Sequence, residues 1–240
     1  MLRGVWVALV LVLATIAAGI PAIVLGALWP RRDYVQHAAR AWSRAMLAAT
    51  GARVEWVGVA RTRDETPKVY IANHQSFVDV WALLRILPSR TRFVAKQELR
   101  HVPVLGWAMA AGGFIFVDRS NRSRAIHSLR AAVETIRAGR SVLMFAEGTR
   151  TRDGRLQPFK RGPFHLALEA RVPVVPVAIT GSWLILPPDS WRVRPGPVRV
   201  EFLEPIDVLA HLPDDISGLL ERVHAALRAR VEAAPVEPAG

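Results

Sequence analysis

Residues 69–87 read VYIANHQSFVDVWALLRIL. Val69–Ala72 is a short run of apolar and β-branched residues, as a buried strand requires. Asn73 to Ser76 is polar, and Val78–Leu87 is mostly apolar and free of Gly and Pro, which predicts a helix. A strand that passes through a polar junction into a helix is the building unit of an α/β fold.

The alternation continues outward from this stretch. Further strands are expected at Arg92–Ala95, Phe114–Val117, Val142–Ala146, Val174–Ile179 and Val198–Phe202. Helices are expected over Val104–Ala111, Arg122–Ala138 and Asp214–Ala233, and another opens at Phe159-Lys160-Arg161-Gly162. Arg122–Ala138 puts Ile126, Leu129, Val133 and Ile136 on one face and stops at Gly139. Strands separated by helices predict a mostly parallel sheet covered by helices on both faces. The expected organisation is a membrane-associating helical segment over residues 1–52, a globular domain over 53–233 and a Pro-containing tail over 234–240.

Gly4 to Trp29 contains no charged residue. That run exceeds the roughly 20 residues a helix needs to cross the hydrocarbon core and the roughly 7–15 of a signal-peptide core. Either a spanning helix or a half-inserted hairpin broken near Gly19 and Pro21 is expected. Tyr34–Thr50 follows with Val35, Ala38, Trp42 and Met46 at helical spacing, suited to an interface or to core packing. Arg31 and Arg32 after the apolar run predict that the globular part lies on the cytoplasmic face of the cell membrane.

Composition narrows the function classes. With 51% hydrophobic and 22% charged residues, the chain of 240 residues is not a disordered protein. It has no Cys, which excludes disulfides, Cys-ligated zinc, iron–sulfur clusters and a thiol nucleophile. The 32 Lys and Arg against 20 Asp and Glu give a net charge of +12, which suits an anionic membrane surface or a phosphorylated substrate. Zinc-finger spacing and RNP-like strands are absent, so no nucleic-acid partner is expected.

In a parallel sheet, ligands bind beyond the carboxyl ends of the strands. Polar clusters follow four successive strands there: Asn73-His74-Gln75-Ser76 with Asp79, then Lys96, then Asp118-Arg119, then Glu147-Gly148-Thr149-Arg150. They are expected to share one crevice. Taken alone, His74 reads equally well as a helix cap or a satisfied buried imidazole, and Asp79 as a first-turn acid favoured by the helix dipole. Residues five apart on one helix diverge by about 140°, so a His74–Asp79 bond needs His74 before the helix, reaching over its first turn. Such a pair would fix the imidazole tautomer and stabilise its charged form. No G-x-S-x-G, H-E-x-x-H or P-loop occurs in the chain. A His–Asp pair without a serine suits a general base acting on a hydroxyl of the substrate. Ser76 reads as the helix cap. Arg119 and Arg150 offer forked donors for phosphate and Lys96 a point charge; Glu147 pairs with one of them or binds a substrate hydroxyl. No metal site is expected.

These residues carry a resemblance. Asn73-His74 through Asp79, Phe116-Val117-Asp118-Arg119, Phe145-Ala146-Glu147-Gly148-Thr149-Arg150 and Val172-Pro173-Val174-Val175-Pro176-Val177 stand in the order and spacing of the four blocks of the glycerolipid acyltransferases. The chain most resembles the bacterial 1-acylglycerol-3-phosphate acyltransferases. Phe93–Leu99, with Pro103 and Gly106, is similar to the segment that family places between its first two blocks, and the N-terminal helices resemble its membrane-docking motif. The resemblance covers about residues 53–205, with Ala146 standing where the family usually has Pro.

The resemblance implies transfer of a fatty acyl group from a thioester, acyl-CoA or acyl carrier protein, to the free hydroxyl of 1-acyl-sn-glycerol 3-phosphate. The product is phosphatidic acid, and no metal, other cofactor or acyl-enzyme is needed. It makes His74 the base and Asp79 its orienting partner. Arg119, Glu147, Gly148, Thr149 and Arg150 would bind the lysophospholipid acceptor's head group, with Lys96 a further contact. Another lyso-lipid acceptor, such as a lyso-ornithine lipid, is the alternative substrate. A membrane-bound lipid hydrolase and a non-catalytic lipid-binding protein are the competing classes.

Overall fold

The computed structural model describes residues 2–29, 34–118, 122–190, 192–210 and 215–233. The expectations on Arg31, Arg32, Arg119, Asp214 and the 234–240 tail lie outside the described residues.

Two helices come first, α1 (Leu2–Leu28) and α2 (Tyr34–Thr50), followed by the strand β1 (Ala52–Val57). Residues 69–87 form β2 (Val69–Ala72) and α3 (Phe77–Ile86). Then come β3 (Arg92–Lys96), α4 (Leu105–Ala111), β4 (Ile115–Val117), α5 (Arg122–Arg137), β5 (Val142–Phe145) and α6 (Gly162–Ala170). The chain continues with β6 (Val174–Thr180), the single turn α7 (Ser182–Ile185), β7 (Gly196–Phe202) and α8 (Ile216–Val231). Asp215 caps α8 by accepting the Gly218 N–H.

Among the described residues the strands form one sheet in the order β1-β7-β6-β2-β5-β3-β4. All neighbours are parallel except β6 and β7, so the sheet is mixed at that one junction. All four residues of β2 are buried, because β5 and β6 flank the strand and helices cover both its faces. Tyr70, Leu143, Val175 and Val177 point to one core with α2 and α3; Val69, Ile71, Val142 and Val174 point to the other with α5, α6 and α8. β2, β5, β3 and β4 are adjacent and parallel, which brings their four carboxyl ends to one edge.

Sequence reading did not anticipate β1, which pairs with β7 in parallel register from Ala52↔Gly196 to Val57↔Glu201. Its residues, ARVEWV, are only half buried, and an edge strand with two charged residues gives a weak apolar signal. β1 also starts one residue before the expected domain boundary.

Pro21 does not break α1, which runs through it as a single helix of 27 residues. This is one helix long and apolar enough to cross a membrane. One side of it meets protein: Gly4, Val7, Gly19 and Ala22 are buried, and Trp42 of α2 donates to Thr15 Oγ1 at 3.1 Å. Its opposite side leaves Leu2, Val5, Leu9, Val12, Ile16 and Val24 exposed.

Candidate active site

The junction after β2 is held by its own side chains. Asn73 donates through Nδ2 to the Ile179 carbonyl and accepts the Ile179 N–H, both at 2.8 Å, so the pairing with β6 continues one residue past the strand. Ser76 caps α3, its Oγ accepting the Val78 N–H at 3.2 Å, while Asp79 reaches back to the Ser76 N–H at 2.8 Å. This reciprocal capping box forces α3 to begin at Phe77 and leaves His74 ahead of the helix.

Asp79 therefore meets His74 over the first turn, Oδ2 lying 2.8 Å from Nδ1. The same oxygen accepts the Gln75 N–H at 2.6 Å and the Ser76 N–H at 2.8 Å. An oxygen that already accepts two amide protons is an acceptor for the third partner too. Nδ1 thus donates, and Nε2 keeps the lone pair. Asp79 is fully buried, whereas His74 is half-buried at the wall of a cavity. The imidazole stacks on Phe145, with centroids 3.8 Å apart and planes 16° apart.

The loop after β5 grips the same residue. Glu147 Oε1 accepts the His74 N–H at 3.0 Å, and the Thr151 N–H donates to the His74 carbonyl at 2.9 Å. Glu147 is buried, and Oε2 has no hydrogen-bond partner among the described residues. Burial pushes its carboxyl up to about 8, against the opposing pull of the His74 and Gln157 amides. Gly148 follows at φ 74°, which lets the chain reverse so that Thr149 and Arg150 face the cavity while Glu147 faces inward.

The expected site residues therefore separate. His74, Lys96, Gly148, Thr149 and Arg150 line one cavity, and Asp79 stands directly behind His74. Among the described residues Glu147 makes no ion pair with Arg150, and it does not line the cavity; its Oε1 accepts the His74 amide. Lys96 carries an ion pair to Glu98 at 2.9 Å. Arg119 lies outside the described residues, and its neighbour Asp118 pairs with Arg124 at 3.0 Å. Among the described residues no three His, Asp or Glu side chains come together to hold a metal ion.

The cavity has a volume of about 520 Å³. Thr15, Ala18, Gly19 and Ala22 of α1, Val35, Ala39 and Trp42 of α2, and Ala108, Met109 and Gly112 at α4 make its far wall. That wall is nearly all apolar, with Ala and Gly predominating beside Val35, Trp42 and Met109. Sequence reasoning did not assign this lining, because it converges from three helices far apart in the chain. It also missed Phe145, although the parallel register Ala72↔Phe145 sets that ring beside the residue two places past Ala72.

Comparison with known proteins gives the family and the fold. The family model described as Acyltransferase matches residues 53–180. A 1-acyl-sn-glycerol-3-phosphate acyltransferase of Limnanthes douglasii is 41% identical over 157 residues, 65% of this chain and 56% of that protein. One from Saccharomyces cerevisiae is 36% identical over 188 residues, 77% of this chain and 62% of that protein. The human alpha form is 34% identical over 178 residues, 74% of this chain and 63% of that protein. The chain thus spans somewhat over half the length of these curated relatives. The crystal structure of the 1-acyl-sn-glycerophosphate (LPA) acyltransferase PlsC from Thermotoga maritima matches with a TM-score of 0.80 at 24% identity. The match covers 98% of this chain and all of that one, and at this identity it speaks for the fold.

Proposed function

The chain belongs to the acyltransferase family, and we propose that it transfers a fatty acyl group from an acyl thioester to the free hydroxyl of 1-acyl-sn-glycerol 3-phosphate, giving phosphatidic acid. The observation that carries this reading is the 2.8 Å His74 Nδ1–Asp79 Oδ2 bond at the wall of an apolar cavity whose rim holds Arg150. The relatives bearing that activity in their names support the choice of acceptor.

In the reaction, His74 Nε2 takes the proton of the acceptor hydroxyl as its oxygen attacks the thioester carbonyl. The tetrahedral intermediate collapses with cleavage of the carbon–sulfur bond, and the imidazolium returns its proton to the departing thiolate. Asp79 stabilises the charged ring between the two steps. The acceptor phosphate lies against Arg150, Thr149, the Gly148 backbone and Lys96, and Arg119 is given the same role on its place in the sequence. Chemical class suits this division: forked guanidinium donors for phosphate, an apolar cavity for hydrocarbon. The donor carrier is CoA or acyl carrier protein, and no other cofactor enters.

The exposed apolar side of α1 seats the protein in the cell membrane, where both substrate and product reside, with the globular part at the cytoplasmic face. The test is purified protein in detergent or vesicles, given labelled acyl-CoA or acyl carrier protein and a panel of lyso-lipids. Phosphatidic acid as the main product supports the reading. Preference for another acceptor, such as a lyso-ornithine lipid, overturns the acceptor assignment. Release of free fatty acid without an acceptor overturns acyl transfer itself.

A further inference from the structure

Phe77 is the first residue of α3, two positions from Asp79 and three from His74. Most large apolar side chains of the globular part are buried, yet this ring keeps 45% of its surface exposed at the mouth of the cavity. Packing alone does not account for a phenylalanine held out there. What the ring touches does. The Arg150 guanidinium carbon lies over its face, 4.3 Å from the centroid, well within the range of a cation–π contact.

Arg150 has no other anchor among the described residues. Among the described residues it makes no ion pair and no side-chain hydrogen bond, in contrast to Lys96 on Glu98 and Arg124 on Asp118. The difference matters for binding. A carboxylate partner occupies the donors of a guanidinium, whereas an aromatic face holds the cation and leaves its N–H groups, which lie in the guanidinium plane, available to a ligand. Phe77 and Asp79 share the first turn of α3, so the residue that seats the cation and the residue that orients the base move as one piece.

We propose that Phe77 is a positioning residue for acceptor binding: its ring seats the Arg150 guanidinium at the cavity mouth with free donors aimed at the phosphate monoester of the acceptor. This deepens the function proposed above and rests on it. The requirement is for an aromatic face at position 77, not for apolar bulk.

The experiment measures KM for acceptor and for acyl donor separately, with kcat, in Phe77→Leu, Phe77→Tyr, Arg150→Ala and the Phe77→Leu/Arg150→Ala double variant. Phe77→Leu is expected to raise acceptor KM about two- to fivefold, with donor KM and kcat close to wild type. Phe77→Tyr restores the wild-type value, and Phe77→Leu adds nothing once Arg150 is gone. An unchanged acceptor KM in Phe77→Leu overturns the proposal, as does a loss falling on donor KM or kcat, or an equal penalty in the Arg150→Ala background. If Arg150→Ala itself leaves acceptor KM unchanged, Arg150 is not the anion-binding group and the underlying site assignment fails with it. If Arg150→Ala raises KM while Phe77→Leu does not, only the seat is refuted.

Discussion

On one wall of the crevice every polar contact is specific. The His74 peptide is held at both its N–H and its carbonyl, its ring at Nδ1 and on one face, and Asp79 Oδ2 collects three donors. The facing wall, where α1, α2 and α4 meet, is held by packing of small residues and a few isolated bonds, such as Trp42 to Thr15 and Gln36 to the Gly112 carbonyl at 3.2 Å. The bonded wall is intolerant of changes of a single atom, because each removes a partner from a buried polar group. The packed wall is sensitive to volume and indifferent to atom type. On the function proposed above, chemistry and hydrocarbon binding fall to parts of the molecule with different rules for change.

The largest expected effect lies on the bonded wall. His74→Ala should lower kcat by at least about 100-fold without unfolding the protein, measured as phosphatidic acid formed per enzyme. Turnover near wild type would remove the base from the mechanism and break the contrast at its root. Asp79→Asn comes next. The side chain keeps its size and can keep one oxygen for the three donors, but the imidazolium loses its counter-charge, so kcat should drop by about tenfold or more. Phosphatidic acid formed per enzyme, with wild type and variant side by side, checks it.

The packed wall should respond differently. A Cβ at Gly19 would stand 2.7 Å from Val104 Cγ1, and the position also borders the cavity. Gly19→Leu should therefore lower turnover of long acyl donors severalfold relative to short ones, with the pH–rate profile unchanged. Equal loss with all chain lengths would show that the wall does not measure hydrocarbon.

The smallest effect concerns Glu147. Its carboxyl titrates at about 8 in the folded chain and near 4.3 when exposed, so the folded state holds the proton between these values. Its contribution to stability is full below the unfolded value and is lost as pH rises through about 8, at no more than about 1.4 kcal/mol per pH unit. Thermal unfolding of wild type should show this fall between pH 5 and 9. Glu147→Gln, which keeps an acceptor for the His74 amide, should flatten that part of the curve; identical pH slopes would exclude it.

Much of the bonded wall was legible in the sequence. The polar clusters follow strands, and adjacency of β2, β5, β3 and β4 in a parallel sheet brings them together. Ser76 and Asp79 read as cap and first-turn acid, and those local roles put His74 where it can reach Asp79. Glu147 misled, because it adjoins Gly148-Thr149-Arg150 in the chain but faces the other way, and the positive φ of Gly148 decides that. Phe145 and Phe77 read as ordinary strand and helix residues. The packed wall gave no local signal, since Gly19, Val35 and Ala108 become neighbours only through tertiary packing. β1 and the antiparallel β6–β7 pair were hidden for a similar reason: pairing direction is set by how the chain returns, not by residue type.

The clasp on the His74 peptide has a metric consequence. One residue, His74, spans the two anchors through its N–H and its carbonyl, so the spacing of Glu147 and Thr151 is tied to the length of a single residue. Between those anchors sits Arg150. Substitutions there leave the spacing intact, whereas inserting or deleting one residue would slide the Arg150 side chain out of register with the His74 ring in a chain that still folds.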